Sequence, residues 1–110
     1  MPTLTMISTY VVRSDAVDAF RQLLERHWPT LHELELATGT PPLYYIGGVT
    51  GEGGVPIVEI LEWSSEDAAN QAHVHPAIST IWEQMSLLWV ENSASPVRTH
   101  LSVQPLVVAH

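Results

Sequence analysis

Residues 55–90, VPIVEILEWSSEDAANQAHVHPAISTIWEQMSLLWV, hold the clearest strand signal and the clearest helix signal of the chain, only a few residues apart. In 55–63 apolar residues alternate around two carboxylates. Ile57, Glu59, Leu61 and Trp63 share one face, and Val58, Ile60 and Glu62 the other. Ser64, with Asp67 three residues on, is placed to cap a helix. The first helical segment, 66–73, shows mainly the small residues Ala68, Ala69 and Ala72. Pro76 then forces a break. It biases His75 out of the α region and itself suits the first turn of a new helix. Ile78, Ile81, Trp82, Met85, Leu88 and Trp89 make one apolar stripe at helical spacing.

Upstream, residues 4–12 are rich in β-branched side chains with no charge on either face, which predicts a strand covered on both sides. Ser14 and Asp15 offer caps for a helix carrying Phe20, Leu23, Leu24, Trp28, Leu31 and Leu34. Pro29 should kink or split that helix, and Gly39 with Pro41 and Pro42 should stop it. Residues 43–49 predict a second strand, joined to 55–63 by the turn TGEGG as a hairpin. Gly47 and Gly48 suggest a bulge or a close approach by another group. Residues 92–96 read as a loop and 98–104 as a fourth strand. The order is β-α-β-β-α-β: an α+β, ferredoxin-like arrangement in which two helices cover one face of a four-stranded antiparallel sheet. The other face carries Val58 and Ile60, which a second sheet from another copy would cover in a two-fold homodimer.

The 110 residues suit one domain, 1–110. Net charge is −8 with no lysine, so no basic stripe exists to neutralise phosphates, and neither nucleic acid nor an anionic membrane is an expected partner. Without cysteine, disulfides and thiolate chemistry are excluded. No apolar run approaches the ~20 residues that span a bilayer. The opening MPTLTMISTY lacks the basic and apolar regions of a secretion signal, so the expectation is a cytoplasmic protein.

Glu59 is the most suggestive residue, because a carboxylate between Ile57 and Leu61 is partly desolvated, as suits a general acid or base. The plainer reading pairs it with Arg98, His100 or a tyrosine hydroxyl. His73 and His75 form an H-x-H pair beside a helix break. Either they contact substrate, or they cap the break and bond backbone; no third ligand has metal spacing, so no metal is expected. His27 could face a cavity from the wall opposite Glu59. Arg26 and Trp28 beside it tip the balance towards a surface or edge position. Trp63, Trp82, Trp28, Tyr44 and Tyr45 could wall a flat aromatic ligand, with Trp63 favoured for the cavity, while the helical spacing of Trp82 and Trp89 favours core or dimer contact. The GEGG turn is no phosphate loop, since a strand follows it and lysine is absent.

The passages PIVEILEWSSEDAANQAH (56–73), HPAISTIWEQM (75–85) and HWPTLHEL (27–34) resemble the dimeric α/β-barrel superfamily, most closely its antibiotic biosynthesis monooxygenase-like branch. The resemblance covers nearly the whole chain. It implies a cavity between helices and sheet in each subunit. Enzymes of that superfamily oxidise aromatic polyketides with O2 and no bound cofactor, degrade haem, or cyclise and isomerise small molecules. The haem-degrading branch uses an Asn on the first strand, where 4–12 has none, and an iron-binding His near the position of Trp82. The cyclase histidines fall where this chain has Ile78 and, roughly, Pro56. The resemblance therefore implies a cofactor-independent, monooxygenase-like enzyme acting on a planar aromatic or polyketide-type substrate. Glu59 or one of His27, His73 and His75 would serve as its acid–base group. A cyclase or isomerase, or a non-catalytic small-molecule-binding dimer, is the alternative.

Overall fold

The computed structural model describes residues 2–51, 53–90 and 98–109, with backbone alone for 98–100. Strands β1 (Leu4–Arg13), β2 (Leu43–Ile46), β3 (Gly54–Trp63) and β4 (Arg98–Val103) form one antiparallel sheet in the order β2-β3-β1-β4. Helices α1 (Val17–Glu33), α2 (Glu66–Ala72) and α3 (Pro76–Ser86) complete the ferredoxin-like α+β fold. The expected loop at 92–96 lies outside the described residues. No helix among the described residues is long and apolar enough to cross a membrane.

Pro29 does not split its helix. α1 runs unbroken from Val17 to Glu33 with Pro29 inside it. It ends before Gly39 because Glu35 takes a left-handed conformation (φ 61°), and the amides of Glu35 and Leu36 turn back onto the carbonyls of His32 and Leu31. The expected caps move by a residue or fall away. Residues Ser14–Ala16 form a 3-10 turn leading into α1, with no side-chain cap. Ser65, not Ser64, accepts the amide of Ala68 at the start of α2. At α3 the proline break falls where expected: Pro76 opens the helix, and His75 caps it by accepting the Ala77 amide at 3.2 Å.

β2 stops at Ile46, short of the expected 49. Gly47 is where another group comes close. Its amide still bonds the Pro56 carbonyl at 2.9 Å, and a Cβ there would lie 2.7 Å from the Pro56 ring. The hairpin then closes through Gly53 at φ 79°.

The helix side of the sheet holds two apolar clusters. One gathers Tyr10, Val12, Phe20, Leu24, Ile57 and Met85; the other gathers Leu31, Leu36, Leu61, Trp63, Ala72 and Ile78. Between them runs a thin polar layer. On β3 it is Glu59 between Ile57 and Leu61, on α1 His27 between Leu24 and Leu31, and on β1 Ser8 between Met6 and Tyr10. The opposite sheet face is uncovered: Ile7, Val58 and Ile60 are half-buried, and Leu43 and Leu101 are exposed.

Candidate functional site

Burying a carboxylate strips it of water, and the fold tolerates this only where charge-matched partners replace the lost hydrogen bonds. Glu59 and His27 side chains are each 2% exposed, and His27 Nδ1 lies 3.1 Å from Glu59 Oε2. The Tyr10 hydroxyl donates to Glu59 Oε1 at 3.4 Å. The Trp82 indole N–H donates to His27 Nε2 at 2.9 Å. These contacts fix the protons. Nε2 accepts, so the neutral ring carries its single N–H at Nδ1 and donates it to Glu59. Glu59 Oε2 thus backs an imidazole whose Nε2 is the end left free of its own proton.

His27 is therefore a core residue, contrary to the expected surface or edge position. Phe20, Leu24, His27 and Leu31 fall on one helical face, and all four are buried. That spacing was visible in the chain; the polar neighbours Arg26 and Trp28 obscured it. Glu59 faces inward as expected. Its partners are Tyr10 and His27, whereas the side chains of Arg98 and His100 lie outside the described residues. Ser8 was not singled out from the sequence, although it stands opposite Glu59 in the β1–β3 register and is 5% exposed.

The nine candidate residues divide among three places. Glu59, His27, Trp63, Trp82 and His73 line an internal cavity of about 150 Å3, with Ser8 and Tyr10. His73 is exposed at its rim and packs edge-on to Trp82, ring centres 5.0 Å apart. The Trp63 Nε1–H is buried with no partner among the described residues. Tyr44, Tyr45 and Trp28 instead line a larger hollow of about 500 Å3 between α1 and the β2 edge, with Leu24, Pro29 and Pro42. Trp28 is tied there by its indole N–H to the Thr38 carbonyl, and His32 stacks on it. His75 lines neither hollow and is spent on the α3 cap.

Tyr44 couples the two hollows. It pairs with Glu59 across β2 and β3. Its hydroxyl is pushed well above the usual phenol range, first by burial and then by the negative charge of Glu59. Among the described residues no three metal-ligating side chains cluster.

With this geometry in view, comparison with known proteins adds the fold and nothing finer. No family model and no curated protein sequence matches the chain. Solved structures do. Rv0793 from Mycobacterium tuberculosis matches at a TM-score of 0.65 and 19% identity, over 99% of this chain and 100% of its own. SnoaB of Streptomyces nogalater, a cofactor-independent oxygenase, matches at 0.65 and 13% identity, over 98% and 97%. A dimeric ferredoxin-like protein of unknown function from Jannaschia matches at 0.66 and 13%, over 94% and 100%. The chain shares their ferredoxin-like fold from end to end. At such identity the chemistry must be argued from the site.

Proposed function

We propose that the chain is a cofactor-independent small-molecule enzyme in which His27, backed by Glu59, takes a proton from a planar, phenol-like substrate held in the smaller cavity. The observation that carries this reading is a carboxylate and an imidazole, each 2% exposed and 3.1 Å apart, both lining a cavity. A structural ion pair needs no hollow beside it; a general base does. The likeness to SnoaB, a cofactor-independent oxygenase, supports the oxidative version. The deprotonated substrate gives electrons directly to O2. A benzylic CH2 becomes C=O and one water leaves (R2CH2 + O2 → R2CO + H2O), so no external reductant is required. Trp63 supplies an unspent N–H for the substrate oxygen, and the indoles of Trp63 and Trp82 keep water from the anion.

Size narrows the substrate. A cavity of about 150 Å3 matches one known to take benzene. One ring therefore fits beside the His27–Glu59 pair, and a fused polyketide does not. The larger hollow, at about 500 Å3, falls in the range of drug-sized ligands and receives the remainder of a longer substrate, against Tyr44, Tyr45 and Trp28.

The apolar open sheet face, with Ile60, Val58 and Leu101, supports a homodimer, as does the likeness to a dimeric protein. Ile60→Asp should turn the dimer into monomer on size-exclusion chromatography.

The test of activity is oxygen uptake with single-ring phenols that carry a benzylic CH2, with tricyclic anthrone as the substrate the smaller cavity should exclude, comparing wild type with His27→Gln and Glu59→Gln. Uptake should fall at least about a hundredfold in either variant. Turnover that persists under argon would instead favour isomerisation or cyclisation by the same pair. Absence of turnover with every phenol and enolisable ketone tried would refute the reading.

A further inference from the structure

The basic nitrogen is already engaged within the fold. His27 Nε2 already holds a hydrogen bond at 2.9 Å, from a side chain on a different helix, and that side chain is held in turn. His73 packs edge-on against the Trp82 ring at 5.0 Å, while His27 lies tilted against it at 6.3 Å. The indole is clasped between two imidazoles, one buried and one exposed. Trp82 itself is half-buried and packs at the margin of both apolar clusters. It is thus partly open to solvent, unlike Ile78 and Met85 on the same helix, which are fully buried.

Taking His27 as the base, we propose that Trp82 is a positioning residue that caps it. The indole N–H keeps the Nε2 lone pair aimed into the cavity, and a substrate reaches that nitrogen only by replacing the indole N–H with a donor of its own. The argument is one of matching. A buried acceptor stripped of its donor is costly, so the exchange proceeds only if the incoming group restores the hydrogen bond. A phenolic or enolic O–H does so, and its proton is the one the base removes. An ether or hydrocarbon of the same shape leaves Nε2 unmatched. The site thereby selects for an acidic O–H before any chemistry occurs, and Trp82 sets that selectivity through the nitrogen it yields, taking no part in the proton transfer.

The experiment uses the full chain labelled with 15N and two probes, phenol and its methyl ether, anisole. In the free protein, His27 Nε2 should show the 15N shift of an unprotonated nitrogen and a scalar coupling across the hydrogen bond to Trp82 Nε1. Saturating phenol should abolish that coupling while Nε2 remains an acceptor, and phenol should bind at least about tenfold more tightly than anisole, one hydrogen bond's worth of discrimination. Trp82→Phe removes the competing donor and keeps a ring, so phenol should bind it roughly three- to tenfold more tightly than wild type. Phenol bound with the Trp82–His27 coupling intact would overturn the proposal while leaving the base reading in place, whereas a proton on Nε2 in the free protein would remove both. Failure of phenol to bind either form would sink the base reading, and with it the exchange, and would leave Trp82 a permanent structural partner. Should Trp82→Phe not fold, the wild-type arms decide alone.

Discussion

The two hollows lie on one sandwich of helix and sheet, yet they are built differently. The smaller one, about 150 Å3, is lined by nearly every buried polar group among the described residues: Ser8, His27 and Glu59. The larger, about 500 Å3, is walled mainly by apolar and aromatic side chains of α1 and of an edge strand whose residues are all exposed, with Arg21 and Glu25 also in its lining. One is expensive to build and small, the other cheap and roomy. A fold accepts a desolvated charge where partners converge from several elements, as α1, β1, β3 and α3 do on the His27–Glu59 pair. An edge strand offers contact area and little that fixes a proton. On the proposed function, the difference would give chemistry to the first hollow and recognition of bulk to the second.

The contrast breaks most visibly on stability. His27→Leu removes the 3.1 Å partner of the buried Glu59 carboxylate and should cost about 3–5 kcal/mol in urea unfolding at neutral pH. The double variant His27→Leu/Glu59→Leu should recover most of that loss, because an apolar pair of similar volume restores a dry core. If the double variant is as unstable as the single one, the polar layer is more than a desolvated pair. Tyr45→Ala in the larger hollow should stay within about 0.5–1 kcal/mol of wild type by the same measurement, since its side chain is exposed. Its effect should fall on the affinity for long substrates and spare single-ring ones.

The smallest effect concerns Tyr44. Its phenol should begin to ionise only well above pH 10 by absorbance near 295 nm, and Glu59→Gln should bring that onset back down, though not fully, since burial is the larger cause. The sign follows from linkage. Between its ordinary value of 10.0 and its raised value, the folded chain keeps a proton that the unfolded chain has released, so stability declines as pH rises through that window and is untouched below it. An onset in Glu59→Gln identical to wild type would uncouple the two hollows.

Periodicity made most of the fold legible. The alternation in β3 and the 3.6-residue stripe of α3 each had one reading, and Pro76 placed the break between α2 and α3. Of the two expectations at Pro29 the split fails, because the missing amide interrupts one hydrogen bond within a 17-residue helix whose inner face is buried, and that packing outweighs the loss. At the site, Glu59 was readable because a charge stands out in an apolar strand. His27 was not, because an imidazole is as common on a helix surface as inside it, and only the carboxylate across the gap decides which. The division of the aromatic residues between two hollows depends on tertiary placement, and no spacing along the chain encodes it.

Gly47 carries a last consequence. It lets the end of β2 lie against the Pro56 ring, at a distance that one methyl group would violate. Gly47→Ala would wedge the edge strand outward and widen the cleft beside Tyr44 and Tyr45 without changing any side chain that faces it. If the larger hollow binds ligand as proposed, a single added carbon at Gly47 would act as a calliper on the width of that cleft.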